Sequence, residues 1–350
     1  MLSAVCARGG GHAPHVPRGA ARRLHAQAQR GPGQRRLCEP VLQLFDRQYS
    51  EELGPLWTTA REVLCQPQCW QYAVMLNRFC ASAELQPRLR ALGYSGLLPP
   101  ASSPLRCFVH PAPLRLPSQR HRPGQLKPYF LLNAASLLPV LALGAADGES
   151  VLDLCSAPGG KAVAVMQSAT PGLLLCNEWD GRRWKWLAET LESFIPARFS
   201  HAVQVSNRDG RVFGRIAEGL YDKVLVDAPC SNDRSWLFCP GPDRGAERIR
   251  GREALPELQT QLLRSAVAAL RPGGALVYST CTLSRAENGA VVEALLRSCP
   301  SLQLEDLGGL ADSLAQHFTF APPAGPGLLV VPDAGRTWGP MFVAKMRKLH

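Results

Sequence analysis

Two cysteines follow apolar, strand-like runs and have neighbours suited to chemistry at sulfur. Cys230 lies in Asp227-Ala-Pro-Cys-Ser-Asn, and Cys281 lies in Tyr278-Ser-Thr-Cys-Thr-Leu. A lone cysteine at such a place is most often a small core residue, because only the thiolate is a good nucleophile and a thiol with a pKa of about 8.5 is mostly protonated at neutral pH. Two such cysteines, flanked by Pro, Ser, Thr and an acid, instead favour attack by sulfur on an electrophilic ring carbon.

A second group of residues suits a nucleoside-containing cofactor. Asp153-Leu-Cys-Ser-Ala-Pro-Gly-Gly-Lys161 joins a strand-like run to a helical one, and paired glycines there let backbone amides approach a ligand at a helix start. The spacing is neither that of a phosphate loop nor Gly-x-Gly-x-x-Gly. Glu178 follows the next apolar run and can accept hydrogen bonds from both hydroxyls of a ribose. An ordinary Gly-Gly turn and a solvated helix cap are the alternatives.

These residues need elements that bring strand ends together. From Glu149 onward, short apolar runs alternate with longer amphipathic ones, which predicts a parallel sheet covered by helices on both faces. The predicted strands cover 151–155, 173–176, 202–205, 222–227, 274–279, 318–320 and 341–344, and the predicted helices cover 161–167, 184–194, 256–270 and 288–299. Ligands of such sheets bind outside the carboxyl ends of the strands. Both cysteines, the glycine loop and Glu178 should therefore face one crevice.

The composition indicates a globular chain with an unusual first segment. Its 350 residues, 46% hydrophobic and 19% charged, exclude disulfide miniproteins and fibrous or wholly disordered chains. Seven of the net +11 charges lie in residues 1–38, which contain no Asp or Glu, so the remaining 312 residues carry only +4. An acid-free segment rich in Arg, Ala and Gly is typical of a mitochondrial presequence. A disordered basic tail that binds RNA or directs the chain to the nucleus is the alternative.

Residues 39–128 are predicted to form a helical and basic-loop RNA-binding module. Helical patterns cover 40–92, including the apolar-faced stretch Trp70–Phe79. Residues 93–128 are rich in proline and contain a basic set consisting of Arg106, Arg115, Arg120, His121, Arg122 and Lys127. Such a stretch is a linker or a solvated basic arm that could contact phosphate, with Trp236 as a candidate base contact. A plain surface loop and a core aromatic are the alternatives.

Neither a membrane span nor a metal site is predicted. The most apolar stretch, Tyr129–Ala146, contains Asn133 and Pro139 and falls short of the roughly 18 uninterrupted apolar residues that a span needs, so a buried helix is predicted there. The twelve cysteines include no Cys-x-x-Cys pair, which argues against a metal knuckle. Without a hydrophobic secretory signal, we expect the thiols to be reduced.

Three motifs, taken together and in order, resemble those of one enzyme family. Asp-Leu-Cys-Ser-Ala-Pro-Gly-Gly-Lys, Asp-Ala-Pro-Cys-Ser and Ser-Thr-Cys-Thr are similar to the Sun family of S-adenosylmethionine-dependent RNA cytosine-5 methyltransferases, and the similarity covers most of residues 40–346. Ser156 stands where the family more often has Ala, and Glu178 where many members have Asp. The resemblance implies an α/β fold: a Rossmann-like class I methyltransferase domain over 129–350, with a mainly parallel seven-stranded sheet and helices on both faces, preceded by a small N-terminal helical module.

The resemblance also implies a role for each catalytic candidate. Carbon 5 of cytosine is a poor nucleophile, so a group must first add at carbon 6, and Cys281, at the family's Thr-Cys position, would be that group. Asp227 would hydrogen-bond or protonate the ring nitrogen, with Lys161 helping to hold the base. Cys230 would act in the release of sulfur. Related DNA enzymes attack with the Pro-Cys position, so spacing alone leaves Cys230 and Cys281 open as nucleophile.

The cofactor contacts are likewise implied by motif. The loop from Cys155 to Lys161 would hold the methionine portion of S-adenosylmethionine, Glu178 the ribose and Asp209 the adenine side, with Asp227 near the sulfonium. Arg183 matches an arginine that commonly follows the ribose acid. The full set is Cys155, Ser156, Ala157, Pro158, Gly159, Gly160, Lys161, Glu178, Arg183, Asp209 and Asp227. For Asp209 an ordinary Asn-Arg-Asp-Gly turn is the alternative.

The substrate, partners and location are expectations of the same kind. A stacked cytosine cannot reach a thiol and a methyl donor together, so a splayed loop nucleotide is expected. The resemblance is strongest to the branch of the family that modifies the wobble cytosine of mitochondrial methionine tRNA, which indicates an anticodon loop. We expect a monomer in the mitochondrial matrix, with no membrane and no obligate protein partner. A mitochondrial ribosomal-RNA cytosine-5 methyltransferase and a non-catalytic RNA-binding assembly factor are the alternatives.

Overall fold

The computed structural model describes residues 36–80, 84–99, 104–238 and 242–350. The predicted presequence, residues 1–38, lies almost entirely outside the described residues and stays a prediction. The described residues belong to one compact unit. Within the described part of the chain, no helix is long and apolar enough to cross a membrane.

The order of helices and strands follows the predicted alternation from Glu149 onward. The strands are β1 (Ala73–Leu76), β2 (Ser95–Gly96), β3 (Cys107–Val109), β4 (Tyr129–Leu132), β5 (Ser150–Asp153), β6 (Leu173–Asn177), β7 (Val203–Ser206), β8 (Tyr221–Asp227), β9 (Leu270–Thr280), β10 (Leu302–Glu305), β11 (Leu328–Val330) and β12 (Met341–Lys348). The α-helices are α1 (Glu39–Leu53), α2 (Pro55–Cys65), α3 (Leu85–Ala91), α4 (Leu138–Leu143), α5 (Gly160–Ser168), α6 (Gly181–Phe194), α7 (Phe213–Ile216), α8 (Asp233–Trp236), α9 (Pro242–Arg252), α10 (Leu255–Ala269), α11 (Gly289–Ser298) and α12 (Gly308–Leu314).

The large sheet is mainly parallel, as predicted. Its order is β10-β12-β9-β8-β5-β6-β7, and the short β11 pairs with β12 as an eighth strand beside the seven on this path. Neighbours from β9 to β7 pair in parallel, whereas β12 is antiparallel to its three partners. The chain moves outward from β5 to β7 and then returns to β8 on the other side of β5. A crevice outside the carboxyl ends of β5 and β8 is where such sheets bind ligands.

The core lies on both faces of this sheet. In β8, Val224 and Val226 pack in one cluster with residues of α7, α10 and α11, whereas Leu225 packs in the other with residues of α4, α5 and α6. All three side chains are buried. Because side chains alternate along a strand, a continuous apolar run supplies both faces, and this is why the runs lack the polar alternation of a half-exposed strand.

Within the described residues, the part of the chain before β5 contains the helices α1 to α4 and a small antiparallel sheet. Helix α1 buries Val41, Leu42, Phe45 and Tyr49, the 3–4-residue spacing of an amphipathic helix. Trp70–Phe79, predicted as helical, instead contains β1, and Tyr129–Ala146, predicted as one buried helix, begins with β4. The strands β1 and β4 pair with each other. The strand order of the small sheet is β2-β3-β1-β4. A short apolar run has no period that separates strand from helix, and the partner strand lies more than 50 residues away.

The last strands differ in detail from the prediction. Residues 318–320 form no strand, and Phe320 makes only an isolated bridge to Val330. The predicted strand at 341–344 extends to Lys348 as β12. Strand β10 was not predicted because only its first residue, Leu302, is buried, so its sequence shows little apolar pattern.

Candidate active site

The two cysteines meet at the carboxyl ends of neighbouring strands. Strands β8 and β9 pair in parallel with Asp227 opposite Ser279, so the residues that follow them lie side by side. Cys230 Sγ is 3.4 Å from Cys281 Sγ, and the backbone N–H of Cys281 donates to Cys230 Sγ at 3.4 Å. Both cysteines are free and half-buried. The two cysteines, which follow neighbouring strands in the sequence, are thus in direct sulfur–sulfur contact.

The environment of Cys230 favours its thiol form. Its hydrogen bond with Cys281, and then burial, raise the pKa of Cys230 well above its usual value. Spacing alone leaves both cysteines open as nucleophile, and the assignment of Cys281 stays a prediction from the family resemblance.

Lys161 and Asp227 form an ion pair in the crevice. Lys161 Nζ donates to Asp227 Oδ2 at 2.6 Å, and Ser279 Oγ donates to Asp227 Oδ1 at 2.8 Å. Burial alone would lower the pKa of Lys161, but the charge of Asp227 and the hydrogen bond to it outweigh burial, and the pKa is raised. The Asp227 side chain is 28% exposed against 13% for Lys161. A ligand that approaches this pair can therefore contact the Asp227 carboxylate more readily than the less exposed Lys161 ammonium group.

The glycine loop wraps the carboxyl end of β5 and leads into α5. Gly159 has φ of +103°, and a Cβ there would lie 3.1 Å from side-chain atoms of Leu187 and Thr190. Only glycine fits both the backbone and the space. The loop is held by the Ser156 N–H, which donates to Asn177 O at 2.8 Å, and the Gly159 N–H, which donates to Ser156 O at 2.8 Å. The start of α5 thus presents free amides beside β5, where an anionic group is favoured.

Asp153 supplies a buried oxygen without a partner. Its Oδ2 accepts from Ser156 Oγ at 2.8 Å, while its Oδ1 is buried and has no hydrogen-bond partner. Burial raises the pKa of this carboxyl to about 7. A buried polar atom without a partner is costly, and a bound ammonium group would satisfy it. Our sequence prediction omitted Asp153 as a contact, although its place between a strand end and the glycine loop was a signal.

Glu178 and Arg183 lie together at the end of β6. Glu178 is buried; its Oε1 accepts from the Asp180 N–H at 2.9 Å, and its Oε2, which has no hydrogen-bond partner, lies 3.3 Å from Arg183 Nη1. Arg183 also donates from Nη2 to Ala157 O at 2.7 Å. Arg183 therefore connects Glu178 to the glycine loop, which is a positioning role beside the predicted ligand contact.

Asp209 lies in the loop after β7, and its carboxylate already accepts hydrogen bonds from Arg211. Both of its carboxylate oxygens accept from the Arg211 guanidinium, and Oδ1 also accepts from the Arg211 N–H. These hydrogen bonds lower the pKa of Asp209. The loop itself is held against β6, because Asn207 Nδ2 donates to Glu178 O at 2.6 Å. Asp209 therefore forms the turn that is the alternative interpretation, and its loop is also hydrogen-bonded to Glu178, a predicted cofactor contact.

The donor set fits S-adenosylmethionine. The orphaned oxygen of Asp153 suits an ammonium group, the amides at the start of α5 suit a carboxylate, and the free oxygen of Glu178 suits a ribose hydroxyl. Within the described residues, no cluster of three or more His, Cys, Asp or Glu could hold a metal ion. Other predicted contacts, Cys155, Ala157, Pro158 and Gly160, belong to the same loop, and a Cβ at Gly160 would lie 3.1 Å from Phe130.

The chain is similar to one family model and to several known proteins. Residues 140–347 match the family model described as 16S rRNA methyltransferase RsmB/F. A zebrafish (Danio rerio) protein named tRNA (cytosine(34)-C(5))-methyltransferase, mitochondrial, is 54% identical over 330 residues, which cover 91% of this chain and 89% of that protein. The mouse (Mus musculus) 5-cytosine rRNA methyltransferase NSUN4 is 36% identical, with 88% of each chain covered.

One solved structure shows the same fold. The crystal structure of NSun6 from Pyrococcus horikoshii with SFG has a TM-score of 0.66 at 17% identity, and the match covers 89% of this chain and 98% of that chain. This match confirms the predicted Rossmann-like fold, and the family model and the zebrafish relative confirm the Sun-family resemblance. On the family match and the zebrafish relative, the chain belongs to the RsmB/F family of methyltransferases.

Proposed function

We propose that this chain transfers a methyl group from S-adenosylmethionine to carbon 5 of a cytosine in RNA, and that the target is the wobble cytosine, position 34, of mitochondrial methionine tRNA. The observation that carries the proposal is the sulfur–sulfur contact of Cys230 and Cys281 beside the Lys161–Asp227 ion pair. The activity for which the zebrafish relative is named supports the choice of tRNA, since the mouse relative named for ribosomal RNA is less similar, at 36% against 54% identity.

The crevice residues would act in a fixed order. The Cys281 thiolate adds to carbon 6 of cytosine, and the electron pair displaced from the ring is stabilised at the ring nitrogen, to which protonated Asp227 donates a hydrogen bond or its proton while Lys161 helps to hold the base. S-adenosylmethionine, when bound, supplies an electrophilic methyl group, which carbon 5 attacks. A base then takes the proton from carbon 5, the ring double bond re-forms, and sulfur leaves carbon 6.

Cys230 is the group best placed for the release step. Its sulfur touches Cys281 Sγ, so it can return a proton to the departing Cys281 thiolate or, once ionised, take the proton from carbon 5. The non-catalytic assembly factor is disfavoured here, because a protein that only binds RNA needs neither a second thiol nor a buried lysine–carboxylate pair in the crevice.

Exposed cations on the N-terminal side would hold the RNA backbone. Arg106, Arg115, Arg120 and Arg122 are exposed, and none of these four makes an ion pair with an acid among the described residues. Arg115 stacks over Tyr72 with its guanidinium carbon 4.7 Å from the ring centroid. Unpaired cations of this kind neutralise phosphates. Trp236 is half-buried against Arg248, which leaves both a base contact and a core role open to it.

The remaining features of the proposal concern organisation and location. Residues 1–38 would be a presequence that directs the chain to the mitochondrial matrix, residues 39–128 an RNA-binding module, and residues 129–350 the methyltransferase domain. The enzyme would act as a monomer without an obligate protein partner, with an anticodon loop as the bound RNA. Fusing residues 1–38 to a reporter tests the first point: mitochondrial import supports it, and a diffuse cytosolic signal contradicts it.

The direct test is methyl transfer to defined transcripts. Mitochondrial methionine tRNA, the same tRNA with uridine at position 34, and mitochondrial small-subunit ribosomal RNA are incubated with the protein and labelled S-adenosylmethionine, and sites are mapped by bisulfite sequencing. We expect label only in the tRNA that carries cytosine 34. Equal label in the uridine variant contradicts the assigned position, and label confined to ribosomal RNA favours the rival function.

A further inference from the structure

A buried polar network joins the loops of the two cysteines to the N-terminal helix α1. Asp233 accepts from Tyr49 Oη at 3.0 Å, from Thr282 Oγ1 at 2.9 Å and from the Leu283 N–H at 2.7 Å. Tyr49 and Asp233 are both fully buried. A residue of α1 is therefore hydrogen-bonded to the segment after Cys230 and, through Thr282, to the segment after Cys281.

A second carboxylate ties the same two loops from the other side. Glu287 accepts from the Ser231 N–H at 2.9 Å, and Ser231 Oγ lies 2.7 Å from its Oε1 and 2.9 Å from Thr282 Oγ1. Ser231 directly follows Cys230, and Thr282 directly follows Cys281. The hydroxyl contact between these two residues is thus a cross-link one residue beyond the sulfur contact.

One guanidinium closes the network. Arg252 donates from Nε to Glu287 at 3.1 Å and from Nη2 to Tyr49 Oη at 2.8 Å, and a third hydrogen bond from Nη1 reaches Gln48 of α1 at 2.8 Å. The side chains of Arg252 and Glu287 are 9% and 1% exposed. We call the six residues the Tyr49 network; its members are Tyr49, Ser231, Asp233, Arg252, Thr282 and Glu287.

Buried charges make this arrangement rigid. A buried ion pair is strongly destabilised when one partner is removed, because the other charge is left uncompensated. Within the Tyr49 network, Asp233 and Glu287 each face several donors, so any shift of one cysteine loop against the other breaks hydrogen bonds that water cannot replace. The separation of the two loops therefore has one favoured value.

We propose that the Tyr49 network is a positioning device that holds the Cys230 and Cys281 sulfurs at contact distance. The proposal rests on the proposed function, in which both thiols act on one base, and adds positioning residues, Tyr49 and Arg252, that touch neither base nor cofactor. It also gives α1 a role beyond folding, because the helix supplies the hydroxyl at the centre of the network.

The test measures the sulfur separation without RNA or cofactor. Phenylarsine oxide bonds two close thiols through one arsenic atom and releases water, so its rate of bridging reports whether the sulfurs can reach one atom. The full chain, Tyr49→Phe and Tyr94→Phe are compared, with the bridged peptide identified by mass spectrometry and assigned by its loss in Cys281→Ser. Tyr94→Phe is the matched control, because Tyr94 is also a buried tyrosine whose hydroxyl donates a hydrogen bond, here to Leu114 O at 3.2 Å.

We expect Tyr49→Phe to slow bridging of Cys230 and Cys281 at least fivefold, and to lower kcat for methyl transfer at least tenfold while KM for the methyl donor changes less than twofold. Tyr94→Phe should leave bridging and kcat within twofold of the wild type. Wild-type bridging in folded Tyr49→Phe overturns the proposal, whatever its activity. If the wild-type chain methylates no RNA but Tyr49→Phe still slows bridging, the proposed function fails and the positioning role stands.

Thr282 provides a second pair of variants if Tyr49→Phe does not fold. Thr282→Val keeps the shape and removes the hydroxyl, whereas Thr282→Ser keeps the hydroxyl. We expect slow bridging and low kcat in Thr282→Val and recovery of both in Thr282→Ser. A merely structural role would lower the unfolding temperature of Thr282→Val and leave its bridging rate unchanged, and this result also overturns the proposal.

Discussion

The sulfur atoms of Cys230 and Cys281 lie 3.4 Å apart although 51 residues separate them in the chain. The contact arises because each cysteine follows one of two adjacent parallel strands, β8 and β9, and it brings two thiols together beyond the strand that ends at Asp227. Two thiols in contact can divide the work of addition and release, since one attacks while the other holds a proton. The following predictions test this division and the site around it.

Removal of the second thiol should trap the reaction. We expect Cys230→Ala to bind RNA and S-adenosylmethionine, to form the bond to Cys281, and to lose turnover by about 10²-fold or more, because an acid–base group of this kind contributes about that factor. A covalent RNA–protein band on denaturing gels is the measurement. Cys299→Ala, which changes a half-buried cysteine elsewhere, should show no band, and so would Cys230→Ala if that residue had no part in release.

Lys161 should matter through its charge. Lys161→Gln removes the partner of Asp227 and leaves the carboxylate without its 2.6 Å ion pair, so we expect kcat to fall about 10²-fold, the usual cost of losing one preorganised electrostatic contact. Steady-state kinetics on the tRNA transcript provide the measurement. Lys223→Gln is the control. Lys223 also pairs with an acid, Glu149 at 3.8 Å, but it lies near the amino end of β8, away from the carboxyl ends at which the site lies. Equal losses in both variants would refute a special role for Lys161.

The shape of the glycine loop should set the affinity for the cofactor. Gly159→Ala forces a Cβ to within 3.1 Å of Leu187 and Thr190 at φ of +103°, a backbone strain of about 1–3 kcal/mol. We expect binding of S-adenosylmethionine, measured by calorimetry, to weaken about tenfold or more, since 1.4 kcal/mol is a factor of ten. At Gly181 an added Cβ meets no atom within 4 Å, so Gly181→Ala should bind normally. Normal binding by Gly159→Ala contradicts the assignment.

The buried acid of the loop should give the protein a characteristic pH dependence. Burial raises the pKa of Asp153 to about 7, whereas an unfolded aspartate has a pKa of about 3.9. Between these values the folded state holds a proton that the unfolded state has lost, so the contribution of Asp153 to the free energy of unfolding falls as pH rises towards 7 and levels off above it.

Chemical denaturation of the wild type and Asp153→Asn at pH 5, 6, 7 and 8 measures this contribution. We expect the wild type to lose stability relative to Asp153→Asn from pH 5 to 7 and much less from 7 to 8, where the titration ends. Asp209→Asn is the comparison, because hydrogen bonds from Arg211 lower the pKa of Asp209 and any dependence falls at lower pH. If the difference in the free energy of unfolding between the wild type and Asp153→Asn is the same at every pH, the raised pKa of Asp153 is contradicted.

The parts of this site that the sequence predicts are those set by local order along the chain. The glycine loop, Glu178, Asp227 and Cys281 each stand at or just after a strand end, and parallel pairing of the strands then gathers them. The Tyr49 network could not be predicted, because Tyr49 and Asp233 are 184 residues apart and nothing in the pattern of α1 separates a hydrogen-bonded core tyrosine from an ordinary one. The pairing of β1 with β4 could not be predicted for the same reason, because more than 50 residues separate these strands.

The most direct test of the account is to identify the atom that bonds to the base. The full chain is incubated with S-adenosylmethionine and methionine tRNA carrying 5-fluorocytosine at position 34, where fluorine replaces the proton that must leave and so prevents release of sulfur. The adduct is digested and sequenced by mass spectrometry. We predict that the methylated nucleotide is bonded to Cys281. A nucleotide bonded to Cys230, or no covalent adduct in a preparation that methylates the unfluorinated tRNA, would contradict this assignment.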